Sequence, residues 1–190
     1  MDKLKQAIIE QGVVVSDQVL KLDALLNHQV DPQLMMEMGR QFADLFRSEH
    51  VTRVVTVESS GISIAFATAY ELGVPLVFAR RKKSLPAESE VLCERVPSFT
   101  KGMVTDLLIS KEFLKENDRI LFIDDIIANG DAARGLIRIV ERSGATLIGA
   151  GIVVEKCFQP GANALRESGI RLESLAKIAS LEGGKIVFAD

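Results

Sequence analysis

The stretch "ILFIDDIIANGDAARGLI", residues 120–137, decides the fold because it joins an apolar strand, a polar turn and the start of a helix. Its opening residues suit a strand that is covered on both faces, as in a parallel sheet. Two adjacent aspartates, Asp124 and Asp125, follow at the predicted end of that strand. Asn129-Gly130 then forms a turn, and a helix begins directly after it. This order predicts a βα unit whose polar residues collect at the carboxyl end of the strand, where open α/β sheets bind ligands.

The same alternation runs through the rest of the chain. Strong strand patterns lie at 53–57, 74–79, 119–125 and 146–156, and weaker ones at 91–96, 104–109, 171–178 and 185–188. A helical pattern precedes the first strong strand and begins at a cap followed by a proline, Asp31-Pro32. Further helical patterns separate the strong strands. Strands that alternate with helices predict an α/β fold with a mostly parallel sheet covered on both faces.

No internal repeat, low-complexity tract or linker divides the 190 residues, so we expect one domain over 1–190. The βα core spans about 31–156. The flanking segments, about 1–30 and 157–190, are expected to form an appendage near the edge of the sheet.

Composition excludes several classes of protein. Apolar residues make up 47% and the net charge is -3, which gives no general attraction to nucleic acid or to an anionic membrane. No apolar run approaches the ~20 residues needed to span a bilayer. The helix predicted at the N-terminus is not followed by a signal-peptide cleavage site. Cys93 and Cys157 are expected to be free thiols in a reducing cytoplasm, and His28 and His50 have no metal-ligand spacing. We therefore expect a cytoplasmic protein with no metal site built from its own side chains.

The aspartate pair suits a ligand with paired hydroxyl groups. Each carboxylate accepts hydrogen bonds on two oxygens, and it also stabilises positive charge that develops in a reaction. The alternative is that one aspartate caps the next helix and the other is solvated. For the pair alone, the two interpretations are about equally good.

The turn after the aspartates suits a phosphate. Glycine permits close approach to the backbone, and the unpaired amides at a helix N-terminus bind anions. An ordinary turn would have the same sequence. Together, however, the aspartates and the turn place acceptors for sugar hydroxyls beside donors for a phosphate in one continuous segment.

This segment resembles the signature that purine and pyrimidine phosphoribosyltransferases use for phosphoribosyl diphosphate. The resemblance implies the type I phosphoribosyltransferase fold of that family, with a small hood formed by the N-terminal segment and the C-terminal strands. It also implies that Asp124 and Asp125 hold the ribose hydroxyls. The residues that would bind the 5′-phosphate are Ala128, Asn129, Gly130, Asp131 and Ala132.

The loop departs from the common form of the family signature. Ala128 and Ala132 stand where threonine hydroxyls usually add hydrogen bonds to the phosphate, so the backbone amides would do more of the binding. Asp131 is an anion beside a phosphate, and we expect its side chain to turn away and cap the helix.

Two further clusters match diphosphate-binding segments of the family. The residues of the first, at the diphosphate loop, are Glu58, Ser59, Ser60 and Gly61. The alternative is a simple strand-to-helix turn with a serine cap. The second, "RRKKSLP" at 80–86, resembles the start of a mobile basic loop whose far end would be 98–102. Arg80 and Lys83 are the predicted catalytic cations there, whereas Arg81 and Lys82 could equally be solvated.

Two more segments, 12–35 and "VVEKCFQPG" at 153–161, are similar to the bacterial branch of the family that acts on xanthine. By this resemblance Leu20, Asn27 and Lys156 contact xanthine. Phe158 would stack on the purine or, equally, belong to the core. A fixed ammonium suits a base with two carbonyl groups.

The resemblance therefore implies transfer of the phosphoribosyl group from 5-phospho-α-D-ribose 1-diphosphate to N9 of xanthine, a purine salvage reaction. Mg²⁺ would be held mainly by diphosphate and ribose oxygens, and the protein would be a homodimer. Two alternatives stay open: a guanine or hypoxanthine phosphoribosyltransferase, and a non-catalytic regulator that senses phosphoribosyl diphosphate. A plain nucleotide-binding domain lacks support because no G-x-G-x-x-G motif is present.

Overall fold

The computed structural model describes residues 1–82, 90–98 and 103–189. The first half of the chain forms α1 (Asp2–Gln11), β1 (Val13–Ser16), β2 (Val19–Lys21), a π-helical turn (Asp23–Asn27), α2 (Pro32–Phe46), β3 (Arg53–Val57), α3 (Gly61–Leu72) and β4 (Leu76–Lys82). The second half forms β5 (Val91–Ser98), β6 (Met103–Ser110), β7 (Arg119–Ile127), α4 (Asp131–Arg142), β8 (Thr146–Lys156), α5 (Gly161–Glu167), β9 (Leu172–Ser180) and β10 (Val187–Phe188). Among these residues, no helix is both long enough and apolar enough to cross a membrane.

Eight strands form one mixed sheet in the order β10-β9-β8-β7-β3-β4-β6-β5. The five strands from β9 to β4 are parallel, and the strands at both edges pair antiparallel. Strands β1 and β2 form a separate antiparallel hairpin. The predicted α/β fold with a mostly parallel sheet is confirmed.

The start of α2 shows how local sequence sets the helix boundaries. The Asp31 carboxylate accepts hydrogen bonds from the amides of Gln33 (2.9 Å) and Leu34 (3.2 Å), and Pro32 occupies the first turn. These contacts satisfy amides that have no partner inside the helix. Helix α3 ends at Gly73, which has φ 68°. The start of α2 agrees with the sequence prediction.

Side chains of β7 alternate between two hydrophobic clusters, one on each face of the sheet. Leu121 and Ile123 pack in the cluster that includes α1, α2 and α3, whereas Ile120 and Phe122 pack in the cluster that includes α4 and α5. Because apolar residues fill both faces from Ile120 to Ile123, the polar residues of β7 lie outside this central stretch.

The β1–β2 hairpin was not predicted from the sequence. Its strands are three and four residues long, and Val13, Val15 and Val19 are exposed. Strands this short, with exposed valines and only Leu20 buried, give no clear alternation of apolar and polar residues. C-terminal to β8, β9 pairs directly with it and extends the main sheet, while the division into core and hood stays a prediction.

Candidate functional site

A cavity of about 510 Å³ lies at the carboxyl ends of β7 and β8. Asp124, Lys156 and the loop 128–132 line it, together with Leu20 from the hairpin and Arg81 from β4. The fold thus brings together residues from four separate predicted segments.

The two aspartates precede the end of β7, which continues to Ile127 and not only to the predicted residue 125. Pairing with β3 nevertheless stops at Phe122, so both aspartates lie beyond that neighbour. The Asp125 amide donates to Asp124 Oδ1 (3.0 Å), and a Cβ added at Gly61 would lie 2.5 Å from the same oxygen. Asp124 lines the cavity, whereas Asp125 is half-buried beside it and is not part of the lining.

Burial raises the pKa of Asp124 well above the ordinary value, and the charge of Asp125 raises it further. A protonated carboxyl donates one hydrogen bond and still accepts others. The pair can therefore hold adjacent hydroxyl groups without placing two full negative charges side by side.

The loop after β7 presents its amides toward the cavity because its carbonyl groups are bound on the opposite side. The Gly161 amide donates to Ala128 O (2.9 Å), and Arg134 Nη1 donates to Asn129 O (2.8 Å). Gly130 has φ 79°, a left-handed conformation that glycine adopts without strain, and it precedes the first residue of α4. Unpaired amides at a helix start are groups that can bind an anion.

The prediction that Asp131 caps α4 is wrong. Gly130 occupies the cap position, and Asp131 Oδ1 instead accepts a hydrogen bond from Arg134 Nη2 (2.5 Å). Residues three apart are neighbours on a helix surface, so the Asp-x-x-Arg spacing was a usable signal for this pair. Arg134 was not predicted from the sequence.

The loop between β3 and α3 contains the four residues predicted to bind diphosphate. Ser59 is exposed, Ser60 is half-buried and its side chain makes no capping hydrogen bond, and Gly61 is buried. The carboxylate of Glu58 accepts a hydrogen bond from the Arg81 amide (2.5 Å) and pairs with Arg80 Nη1 (3.0 Å). Glu58 therefore joins this loop to the end of β4, and its carboxylate is occupied by these arginines.

The basic segment places neighbouring arginines in different surroundings, as expected for a strand. Arg80 is exposed, pairs with Glu58 and lies over the Phe78 ring at 5.5 Å. Arg81 lines the cavity and donates to Thr105 Oγ1 (3.3 Å). Arg80 was predicted from the sequence, and the structure adds Arg81 as a residue that lines the cavity.

Lys83 lies outside the described residues. So does most of the two predicted ends of the mobile basic loop, 80–86 and 98–102.

Lys156 brings a buried cation to the cavity. It is 7% exposed, and its Nζ donates to Gln18 O (2.8 Å) at the turn of the β1–β2 hairpin. Burial lowers the pKa of Lys156. Gln159 Nε2 donates to Gln18 Oε1 (3.2 Å), so the hairpin is attached to the end of β8 by two contacts. No local pattern identified Gln18 or Gln159, because these contacts join distant parts of the chain.

Two predicted base-contacting residues lie away from this cavity. Asn27 is exposed, and its Nδ2 donates to Asp23 Oδ1 (3.0 Å). Phe158 packs against the hydrophobic cluster that includes α1, α2 and α3. Neither side chain lines the cavity in this structure.

Comparison with known proteins gives consistent results for sequence and structure. Residues 24–164 match the family model described as "Phosphoribosyl transferase domain". The xanthine phosphoribosyltransferase of Bacillus licheniformis is 53% identical over 188 residues, covering 99% of this chain and 97% of that protein. The enzyme of the same name from Moorella thermoacetica is 50% identical, covering 99% of this chain and 96% of that protein.

Solved structures share the fold at lower sequence identity. The adenine phosphoribosyltransferase of Rhodothermus marinus has a TM-score of 0.76 at 22% identity and covers 94% of this chain and 100% of its own. The Giardia lamblia enzyme complexed with 9-deazaadenine has a TM-score of 0.76 at 20% identity, covering 92% of this chain and 97% of its own. At these identities the likeness is one of fold.

Proposed function

This chain belongs to the phosphoribosyltransferase family, and we propose that it transfers the phosphoribosyl group of 5-phospho-α-D-ribose 1-diphosphate to N9 of xanthine. The products are xanthosine 5′-monophosphate and diphosphate. One observation supports this above all: Asp124, the loop 128–132 and Lys156 line a single cavity. The identity of about 50% to two xanthine phosphoribosyltransferases, over nearly the whole chain, favours xanthine as the base.

The phosphoribosyl diphosphate occupies the side of the cavity formed by β7 and its loop. Asp124 and Asp125 hold the ribose hydroxyls, and the amides of 128–132 hold the 5′-phosphate. The diphosphate lies toward 58–61, with Arg80 and Lys83 as the predicted cations and Arg81 beside them. Arg81 is supported by its place in the cavity lining.

The base occupies the side formed by Lys156 and Leu20. Lys156 donates to a base oxygen, for which the Gln18 carbonyl substitutes in the free protein. Leu20 packs on the ring. Asn27 and Phe158 stay predictions that need a movement of their segments, because both lie away from the cavity in this structure.

Catalysis comes from positioning and electrostatics. The bond between ribose C1 and the diphosphate lengthens and its electrons leave with the diphosphate. N9 of the base then bonds to C1, and the proton of N9 is released to solvent. Positive charge that develops on the ribose is stabilised by Asp124 and Asp125, and the leaving diphosphate by the arginines. Holding both substrates in one cavity can lower the barrier by ~7–11 kcal/mol.

Mg²⁺ is the proposed cofactor, held mainly by oxygens of the substrate. In residues 1–82, 90–98 and 103–189, no three His, Cys, Asp or Glu side chains are grouped as a metal site requires. Asp124 and Asp125 nevertheless offer hard oxygen donors, which suit this ion alongside substrate oxygens and water. When bound, the ion supplies charge neutralisation of the diphosphate.

The first experiment tests the base. The purified protein is mixed with Mg²⁺ and phosphoribosyl diphosphate, and xanthine, guanine, hypoxanthine or adenine is added in turn while nucleotide formation is followed. We expect turnover to be best with xanthine. Preference for guanine or hypoxanthine would retain the ribose site and refute the xanthine assignment. Saturable binding without turnover would identify a regulator.

A homodimer and a cytoplasmic location complete the proposal. On α3, Phe66 (59% exposed) and Tyr70 (68% exposed) are four residues apart and therefore share a face. Exposed aromatic pairs are typical of protein interfaces. Sedimentation should give twice the chain mass, and the variant F66S/Y70S should shift it toward the monomer. Free Cys93 and Cys157 support a reducing compartment.

A further inference from the structure

We propose that Arg134 is a positioning residue for the phosphate-binding loop, acting through both Asn129 and Asp131. The inference rests on the proposed function, since it concerns how the 5′-phosphate is held. Arg134 does not line the cavity that receives the substrate. Its contacts are with the loop itself.

The guanidinium of Arg134 makes two hydrogen bonds to the loop. Nη1 of Arg134 donates to Asn129 O (2.8 Å), and Nη2 donates to Asp131 Oδ1 (2.5 Å). The planar guanidinium holds these two donors in a fixed relation, which a lysine cannot reproduce. Arg134 therefore connects the residues on both sides of Gly130.

The first hydrogen bond, to Asn129 O, orients the backbone of the loop. A carbonyl oxygen that faced the cavity would repel the phosphate, whereas an amide attracts it. Arg134 binds Asn129 O from outside, as the Gly161 amide binds Ala128 O. With both carbonyls held outward, the following amides are directed inward without reorganisation when the anion binds.

The second hydrogen bond, to Asp131 Oδ1, neutralises a negative charge close to the proposed phosphate site. The Asp131 side chain is 17% exposed and lines the cavity, so its anion would oppose a phosphate within the same loop. The paired Arg134 side chain is 39% exposed. At a partly buried site such a charge is screened less than at the surface, and its neutralisation has a correspondingly larger effect.

The composition of the loop makes this support important. Ala128 and Ala132 have no hydroxyl groups, so binding of the phosphate depends on the orientation of the backbone amides of the loop. Any rotation of the Asn129 or Asp131 peptide would therefore remove much of the binding directly.

The test is a double-mutant cycle with R134Q, D131N and D131N/R134Q. Glutamine removes the charge and is too short to reach Asn129 O as Nη1 does, so it loses that hydrogen bond and leaves the Asp131 carboxylate uncompensated. We expect R134Q to raise KM for phosphoribosyl diphosphate about tenfold while kcat changes less than about twofold. In D131N/R134Q both charges are absent, so KM should be clearly lower than in R134Q, and the part that remains raised reports the lost hydrogen bond to Asn129 O.

A second readout isolates the phosphate. In R134Q, calorimetry should show affinity for xanthosine 5′-monophosphate reduced about tenfold and affinity for xanthosine unchanged. R138Q is the matched control, because Arg138 lies on the same helix and pairs with Glu94 at 2.6 Å away from the loop. R138Q should retain the wild-type KM. R134K should give a KM between those of the wild type and R134Q, because it keeps the charge and loses one of the two hydrogen bonds. It replaces R134Q in the test if R134Q does not fold.

Each outcome decides the inference. A wild-type KM in R134Q would overturn it, as would a raised KM that D131N does not rescue, because a merely structural arginine would show no charge compensation. If the wild-type protein forms no nucleotide with any base, the proposed function fails instead. If wild type is active and R134Q is unchanged, only the role of Arg134 fails.

Discussion

Asp125 follows Asp124, whose pKa is raised by burial, and the two carboxyl groups are neighbours at the same end of β7. We expect Asp125→Asn to lower kcat/KM about 100-fold or more, because an amide cannot stabilise positive charge developing on the ribose. Steady-state kinetics with xanthine measures this. Asp44→Asn, the same change at an exposed position of α2, should have no effect. Near-normal activity in Asp125→Asn would mean that the pair is structural.

Lys156 should make xanthine binding sensitive to alkaline pH. Its charged form is the proposed partner of the base, and burial lowers its pKa, so the charge is lost at a lower pH than the ordinary value of about 10.4. The KM for xanthine should therefore rise with increasing pH before a free lysine would titrate. Lys156→Met should raise that KM about 100-fold and remove this part of the pH profile.

Ionisation of xanthine itself also changes with pH, and comparison of wild type with Lys156→Met separates the two effects. Lys185→Met, at an exposed position, is the control. An identical alkaline profile in wild type and Lys156→Met would contradict the role of Lys156.

At the scale of elements, the phosphate-binding loop depends on the start of α5. A Cβ added at Gly161 would lie 2.6 Å from Gly130 N and 2.7 Å from the carbonyl carbon of Asn129. Gly161→Ala must therefore displace the loop or the helix. We expect kcat/KM for phosphoribosyl diphosphate to fall about 10- to 100-fold, since small displacements of binding groups are costly in catalysis.

Asn163→Ala changes an exposed residue of the same short helix and should leave kcat/KM unchanged. Wild-type kinetics in Gly161→Ala would show that α5 moves instead of the loop, and that the contact is unimportant for the phosphate.

For the whole molecule, a buried ion pair joins β8, α5 and β9. The Glu155 carboxylate is 3% exposed, accepts two hydrogen bonds from Arg166 (2.7 and 2.6 Å) and one from Ser174 (2.5 Å). Glu155→Gln leaves Arg166, whose side chain is 33% exposed, without its charge partner, and we expect the free energy of unfolding to fall by about 2 kcal/mol, between the values for buried and exposed pairs. Urea denaturation measures it. Glu173→Gln, which breaks an exposed pair with Arg171, should cost less than about 1 kcal/mol.

The same pair has a predictable pH dependence. Burial alone would raise the pKa of Glu155, but the hydrogen bonds from Arg166 and Ser174 lower it below the ordinary value. Its contribution to stability is therefore complete above the unfolded pKa of about 4.3 and is lost as pH falls through the lower folded value. Wild type should lose stability in acid more steeply than Glu155→Gln, and parallel curves would contradict this account.

The sequence by itself determined the βα alternation, the boundaries of most helices and strands, and the placing of Asp124, Asp125 and the loop 128–132 in one segment. These features depend on residues close in the chain: the period of apolar residues, the cap at Asp31 and the turn at Gly130. The predicted family and its fold are confirmed. The roles of the individual site residues stay predictions.

Only the tertiary structure decided which polar residues meet. Arg81 lines the cavity while Arg80 does not, Asn27 lies apart, and Lys156 contacts Gln18, which is 138 residues away in the chain. Such contacts depend on the order of strands in the sheet and on where the hairpin packs. Local periodicity fixes the face on which a residue lies, but it contains no information about which distant residue will lie opposite.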